Sequence, residues 1–307
     1  MSRLASLICL LILVPTLRAG DILDDDFGVQ KITGDCRFTE GPAVNSQGTL
    51  FFSDGPNDRI MQYTRAGELS VFRKPCGRAN GLLIDHEDRL VMCQSSGAGG
   101  GRKVTRLEKD GQETELAASY KEKPFNAPND LCIDRRGRIY FTDPNFGEPS
   151  ASAQPVSGVY RIDGPGQVTL VIENLQKPNG ILITPDNKLL YVSDRGTQKL
   201  HRYRVKEDGG LTPDGIAYDF SPDRGIDGMR LDAQGNIYGA AGKDATTGLF
   251  VISPAGKLLL HKPMPEFSTN LCFGGTDMRD LFFTASKSVY KLRTQHPGAK
   301  LPPKATP

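Results

Sequence analysis

Short apolar runs separated by turns repeat along the chain, and a polar residue stands at the start of each repeat. In residues 126–147, Asn129 and Asp130 precede an apolar run at 131–133, a turn follows, and a second run covers 139–142. Runs of this length, rich in β-branched and aromatic residues and bounded by Gly, Asp and Asn, are typical of β-strands. The pattern therefore predicts pairs of strands joined by tight turns.

The same arrangement occurs six times. The copies lie at 40–54, 80–94, 129–143, 179–194, 227–241 and 270–285. We call the polar residue that opens each copy an anchor, and the six anchors are Glu40, Asn80, Asn129, Asn179, Asp227 and Asn270. They recur at intervals of about 40 to 50 residues, which is the period of a β-propeller blade. A second pair of amphipathic strands around a Gly-containing turn follows most copies, as at 158–173.

Four strands in each of six units predict an all-β fold: a six-bladed β-propeller whose blades are four-stranded antiparallel sheets. The sixth unit ends after 288–292 and lacks a fourth strand. An N-terminal strand at 27–32 is predicted to supply it and to close the ring, so that no blade edge stays open. We place the propeller at 20–293 and predict a disordered tail at 294–307, because that segment is rich in Pro and Lys.

The first 19 residues have the features of a secretory signal peptide. Arg3 provides the positive start, an apolar stretch runs from Leu4 to Val14, and Ala19 ends an acceptable cleavage site. The apolar stretch is short for a bilayer span; an uncleaved membrane segment is the alternative. We therefore expect an exported protein, periplasmic or extracellular, with no membrane attachment after cleavage.

Composition and charge narrow the classes of partner. The chain has 307 residues, of which 38% are hydrophobic and 24% charged, with a net charge of +2. No dense Lys/Arg run is present, so we expect no nucleic-acid partner, and we expect a monomer.

Five cysteines follow the signal peptide and cannot all pair with one another; a bridge between Cys36 and Cys76 is one option.

The anchors predict a cluster of polar side chains at one end of the channel. The innermost strand of each blade lines the central channel of a propeller, so all six anchors should gather at one mouth. Burying carboxylates and amides together is costly unless something pairs with them. They are oxygen donors, which suit Ca²⁺ first, Mg²⁺ or Mn²⁺ next and Zn²⁺ less well. The other interpretation is a water-filled channel in which these groups hydrogen-bond to one another.

A set of short motifs occurs in a fixed order along residues 29–292. They are Glu40-Gly41-Pro42, Pro128-Asn129-Asp130, Phe141-Thr142-Asp143-Pro144, Asn179-Gly180, Asp227-Gly228-Met229 and Phe273-Gly274-Gly275. Together they resemble the senescence-marker-protein/gluconolactonase family, which also includes regucalcin and luciferin-regenerating enzymes. The Phe-Thr-Asp-Pro motif is most similar to the bacterial gluconolactonase branch.

The resemblance implies one divalent cation in the channel mouth, held by Glu40, Asn179 and Asp227. It also implies that Asp227 is the general base of a hydrolase. The candidates for substrate binding are Asn80, Asn129, Asp130 and Asp143. Ala127 stands where the animal branch of the family has an Arg, so the sugar contacts of that branch are not carried over.

These features predict a metal-dependent hydrolase that opens a sugar lactone, such as gluconolactone, to the aldonic acid. The cation would polarise the lactone carbonyl, while Asp227 takes a proton from the attacking water and returns it to the leaving ring oxygen. Two alternatives stay open. One is a paraoxonase-type lactonase or esterase acting on more apolar substrates, and the other is a non-catalytic propeller whose channel cation only ties the blades together.

Overall fold

The computed structural model describes residues 21–146, 152–301 and 304. The predicted signal peptide at 1–19 lies outside the described residues. Within the described part of the chain, no helix is long and apolar enough to cross a bilayer. Regular structure there is almost entirely β-strand, which confirms the all-β prediction.

The first strand along the chain, β1 (Gln30–Thr33), belongs to the last blade, and blades one to three follow it. Blade one contains β2 (Thr39–Val44), β3 (Leu50–Asp54), β4 (Arg59–Tyr63) and β5 (Leu69–Arg73). Blade two contains β6 (Ala79–Ile84), β7 (Leu90–Gln94), β8 (Lys103–Leu107) and β9 (Glu113–Ala117). A small hairpin, β10 (Ser119–Tyr120) and β11 (Lys123–Pro124), precedes blade three, which contains β12 (Leu131–Ile133), β13 (Ile139–Asp143), β14 (Gly158–Gly164) and β15 (Gln167–Ile172).

Blades four to six complete the predicted six-bladed propeller. Blade four contains β16 (Pro178–Ile183), β17 (Leu189–Asp194), β18 (Lys199–Val205) and β19 (Leu211–Asp219). Blade five contains β20 (Met229–Leu231), β21 (Ile237–Ala241), β22 (Gly248–Ile252) and β23 (Leu258–Pro263). Blade six contains β24 (Ser268–Gly274), β25 (Asp280–Ala285) and β26 (Ser288–Arg293). The first strand of each blade contacts the first strands of its neighbours, so these six strands surround the channel.

The N-terminal strand closes the ring, as predicted. β1 pairs antiparallel with β26, with Gln30 opposite Lys291 and Lys31 opposite Tyr290. The order β1-β26-β25-β24 makes it the outermost strand of blade six. The strand begins three residues later than the predicted segment 27–32, but it fills the predicted place.

The beginning of the predicted disordered tail is ordered. Thr294 forms a β-bridge with Leu23 and is fully buried. Further along, the amide of Gly298 donates to the Met278 carbonyl and the amide of Ala299 donates to the Leu231 carbonyl. The prediction of disorder is therefore wrong for 294–299, because backbone hydrogen bonds to blades five and six hold a segment whose composition alone suggested a free tail.

Large apolar side chains fill the space between neighbouring blades. Tyr140, Tyr160 and Tyr238, which recur in the second or third strands, are among the largest fully buried side chains. All five cysteines of the described chain are buried and free, so the optional bridge between Cys36 and Cys76 is not formed. Blade-to-blade packing, without cross-links, therefore holds the channel walls in place.

Candidate metal and substrate site

The structure places every anchor within two residues of the first residue of the innermost strand of its blade. Glu40, Asn179 and Asn270 lie in the first three residues of β2, β16 and β24, whereas Asn129 and Asp227 stand two residues before β12 and β20. These five side chains are buried, and Asn80 in β6 is half-buried. The channel mouth predicted from the repeat is therefore lined by the anchors.

Contacts between adjacent blades join the anchors in pairs. The side-chain amide of Asn270 donates to Oε2 of Glu40 at 3.1 Å. The side-chain amide of Asn80 donates to the backbone carbonyl of Asn129 at 3.3 Å. The Asn179 side chain lies close enough to the Asp227 carboxylate to act on its pKa, which it lowers against the effect of burial. Residues from all six blades thus meet at one mouth of the channel.

Glycines that follow the anchors make this close approach possible. A Cβ atom at Gly180 would lie 2.1 Å from the backbone oxygen of Asp227, and one at Gly228 would lie 1.9 Å from Cγ of Asn270. Real Cβ atoms do not tolerate such distances, because the neighbouring strand would have to move. The Asn-Gly and Asp-Gly steps of the repeat therefore set the width of the ring of anchors.

Ionisation of the carboxylates of the ring is electrostatically unfavourable. Burial raises the pKa of Glu40 well above its ordinary value, and the negative charge of Asp227 adds to this shift. Burial also raises the pKa of Asp227, although the guanidinium charges of Arg224 and Arg195 oppose the change. Groups of like charge brought together in a buried site gain from a cation or a proton.

Two oxygens at this mouth have no hydrogen-bond partner in the described structure. They are Oδ1 of Asn129 and Oδ2 of Asp130, and both are buried. The other oxygen of Asp130 accepts from the amide of Leu131 at 2.9 Å. Buried acceptors are nearly always satisfied, so these two are suited to a ligand hydroxyl, a cation or an ordered water.

Asp143 does not join the ring, in contrast to its assignment as a substrate-binding candidate. Its carboxylate oxygens accept from the backbone amides of Asn126 and Ala127 at 2.8 and 2.7 Å. Burial raises its pKa to about 7, against the effect of those two amides. Asp54 and Asp194 end the same strand in blades one and four and hold the preceding loops in the same way. Asp143 therefore supports the segment leading to Asn129.

Sequence reasoning missed Arg224, which lies in the wall of the channel mouth. Its Nη1 donates to Oδ2 of Asp227 at 2.8 Å, and both side chains are buried. Arg224 stands in the loop before the repeated unit of blade five. The aligned copies of the repeat do not cover this loop, so no residue in another copy corresponds to Arg224. No periodic signal in the sequence marks it.

An apolar cavity lies in the other half of the channel. It has a volume of about 230 Å³ and is lined by apolar side chains of the inner strands, including Leu82, Ile133 and Ile183, and by the ordered tail at Ala299. None of the anchors lines it. The polar mouth and the apolar cavity are therefore separate parts of one channel.

Comparison with known proteins decides the family. A family model described as "SMP-30/Gluconolactonase/LRE-like region" matches residues 38–287. The chain belongs to this family. The match covers all six repeats of the propeller and includes every anchor, which confirms the resemblance drawn from the motifs.

Individual members of the SMP-30/gluconolactonase family agree with this assignment. A gluconolactonase of Zymomonas mobilis is 30% identical over 310 residues, covering 91% of this chain and 84% of the relative. A solved gluconolactonase structure from Xanthomonas campestris is 29% identical, with a TM-score of 0.78 and coverage of 87% and 91%. The calcium-binding regucalcin of Agrobacterium tumefaciens is 18% identical, with a TM-score of 0.74 and coverage of 91% and 98%, and it shares the fold.

Proposed function

We propose that this protein is a lactone hydrolase that opens a sugar lactone to the aldonic acid and needs one divalent cation. Family membership and the gluconolactonases among its relatives support lactone hydrolysis. The observation that carries the rest is the convergence of Glu40, Asn179 and Asp227, from three blades, on a buried mouth that also contains unpaired oxygens.

The residues present fit a hard cation. Glu40 and Asp227 bring two carboxylates, and Asn179 brings an amide oxygen, which is the donor chemistry that Ca²⁺ prefers. Among the described residues no group of three or more His, Cys, Asp or Glu is arranged as a metal site, so amide oxygens would have to complete the ligand set. When bound, the cation would supply positive charge that polarises the lactone carbonyl.

Asp227 is the residue that we assign to proton transfer. Oδ2 is engaged by Arg224, so a proton taken from the attacking water would go to Oδ1. The water oxygen then bonds to the carbonyl carbon, the bond from that carbon to the ring oxygen breaks, and the ring oxygen recovers the proton. Burial raises the pKa of Asp227, whereas the charges of Arg224 and Arg195 lower it; a bound cation would also lower it, so proton transfer would need Oδ1 to be free of the cation.

Polar groups around the mouth would orient the substrate. Oδ1 of Asn129 and Oδ2 of Asp130 can each accept a hydrogen bond from a sugar hydroxyl, since neither has another partner in the described structure. Asn80 holds the backbone of Asn129 and would position it. These acceptors favour a polyhydroxylated lactone over an alkyl lactone, because an alkyl chain would leave them unpaired.

The test is a panel of sugar and alkyl lactones assayed with metal-stripped protein reloaded with single cations. We expect turnover of sugar lactones that is restored by Ca²⁺ and lowered by about 10²- to 10⁴-fold in Asp227→Ala, the range for loss of a general base. Undiminished turnover in Asp227→Ala would exclude this mechanism. A preference for alkyl lactones would favour the paraoxonase-type alternative, and the absence of turnover with every lactone and cation would favour a non-catalytic propeller.

We also propose that the protein is exported, to the periplasm or the extracellular space, and that it acts as a monomer. The positive start and apolar stretch of residues 1–19 support export. N-terminal sequencing of the secreted protein, together with light scattering, tests both points: a mature chain that retains residue 1, or a dimer mass, would contradict them.

A further inference from the structure

Arg224 is a charged side chain that the fold has removed from water. It is only 6% exposed and lies in the loop between β19 and β20, three residues before Asp227. Burying a guanidinium is unfavourable unless its donors are paired with good geometry. The contacts of the Arg224 side chain therefore show which groups offset the cost of burying its charge.

The guanidinium of Arg224 is held from four directions. Its Nε donates to the carbonyl of Gly242 at 2.8 Å and its Nη2 to the carbonyl of Ser268 at 2.6 Å. Its Nη1 donates to Oδ2 of Asp227 at 2.8 Å. The ring of Phe267 covers one face, with its centroid 4.1 Å from the guanidinium carbon. The planar group is thus fixed by blade five, blade six and the loop that carries Asp227.

These contacts determine the orientation of the Asp227 carboxylate. The backbone amide of Asp227 donates to Ala240 at 2.7 Å, so the main chain is fixed, and Arg224 then fixes one carboxylate oxygen. An ionised carboxylate has about four acceptor positions. Arg224 and Asn179 therefore leave acceptor capacity on Asp227 for a cation or a water.

The charge of Arg224 and its geometry would act in opposite directions on a bound cation. A positive charge next to the site weakens cation binding by repulsion, whereas a carboxylate held in one orientation strengthens it. Burial lowers the pKa of the Arg224 guanidinium, whereas the negative charges of Asp227 and, to a smaller extent, Glu40 raise it. The two effects can be separated by experiment because Lys keeps the charge and lacks the planar fork.

We propose that Arg224 is a positioning residue of this site: its fork holds Oδ2 of Asp227 so that the rest of the carboxylate is presented to cation and substrate. The inference rests on the proposed function, and it deepens it by assigning the orientation of Asp227 to one side chain. A residue of this kind that supports a metal ligand typically contributes 10- to 100-fold to metal affinity or activity.

The chain contains a matched control pair. Arg138 is 8% exposed and its Nε donates to Oδ2 of Asp134 at 2.6 Å. This pair lies in the turn between β12 and β13, at the opposite mouth of the channel from the anchors. It has the same chemistry and similar burial, but it contacts none of the anchors in the described structure.

The experiment compares Arg224→Lys and Arg224→Gln with Arg138→Lys and Arg138→Gln in the full-length protein. Circular dichroism and Tm report folding, titration calorimetry with Ca²⁺ alone reports the Kd of metal-stripped protein, and lactone assays separate kcat from KM. We expect both Arg224 variants to weaken Ca²⁺ binding and lower kcat by about 10- to 100-fold, with KM little changed. We expect the Arg138 variants to lose stability and to keep the wild-type Kd and kcat.

Several outcomes would overturn the inference. If Arg224→Lys keeps the wild-type Kd and kcat, or if Arg224→Gln binds Ca²⁺ more tightly with full turnover, Arg224 acts only as a charge. If both Arg224 variants fail to fold while the Arg138 variants fold, Arg224 serves stability alone. If the wild type hydrolyses no lactone, the proposed function fails, and the Ca²⁺ titrations still decide whether Arg224 orients Asp227.

Discussion

At the scale of single residues, the channel mouth is a balance of buried like charges and the groups that offset them. Burial raises the pKa of Glu40 well above its ordinary value, and the negative charge of Asp227 raises it further. Arg224 is the positive group that forms an ion pair with Asp227. The ion-free protein should therefore be sensitive to any change in the protonation of Glu40.

We expect the metal-stripped protein to lose stability as the pH rises. The folded pKa of Glu40 is raised, so its contribution to the free energy of unfolding is complete below the unfolded pKa of about 4.3. That contribution declines as the pH rises towards the folded pKa, because the unfolded state ionises first. In thermal melts from about pH 4.5 upwards, the Tm of Glu40→Gln should decrease less than the Tm of the wild type. Each kcal/mol of lost stability corresponds to a decrease in Tm of about 2–4 °C.

Added Ca²⁺ provides the control for this measurement. If the ring binds a cation, Ca²⁺ should raise the Tm of the wild type most at high pH, where Glu40 is ionised, and should raise that of Glu40→Gln less. Parallel pH profiles for the two proteins, with and without Ca²⁺, would show that Glu40 does not carry this dependence.

At the scale of strands, the ring depends on how closely the inner strands approach one another. Gly180 in β16 lies against the backbone oxygen of Asp227, in the next blade. The repeat encodes this approach as an anchor followed by Gly in blades one, two, four and five, whereas Asp130 and Leu271 take that place in blades three and six. The narrow width of the ring of anchors therefore depends on the close approach of the inner strands of adjacent blades.

Gly180→Ala should destabilise the protein and weaken the site at the same time. A Cβ atom would lie 2.1 Å from the Asp227 oxygen, so β16 must shift, and overpacking of this kind costs about 1–3 kcal/mol. Urea unfolding and Ca²⁺ titration measure the two effects. Gly164→Ala in β14 is the matched control, because its nearest neighbour is the Gln167 side chain at 3.6 Å; equal losses in both variants would contradict the argument.

At the scale of the whole molecule, the sequence predicts the architecture well because the repeat reports blade number, strand order and the place of the anchors. Other features are not periodic. Arg224 reaches Asp227 from a loop that varies between blades, and the tail is held by backbone bonds that its composition does not reveal. Asp143, a predicted substrate-binding residue, has local backbone amides as its partners, and the repeat does not reveal these bonds.

The ordered tail gives a prediction for the complete fold. Truncation after Arg293 removes the buried Thr294 and the bonds of 295–299 to the N-terminal segment and to blades five and six. Each lost hydrogen bond contributes about 0.5–1.5 kcal/mol, so Tm should fall by several degrees. Truncation after Leu301 keeps those bonds and should leave Tm nearly unchanged; identical melts for both truncations would mean that 294–299 do not contribute to stability.

The pairing of β1 with β26 makes the finished propeller depend on two strands that are far apart in sequence. During synthesis, the ribosome releases the first partner almost an entire chain length before the second. Until then β1 has no partner strand, and unpaired strand edges recruit other strands. Contacts this distant in sequence also form slowly. The propeller of a nascent chain would therefore stay unclosed for most of its synthesis. Circular permutants in which β1 and β26 are adjacent in sequence should fold faster.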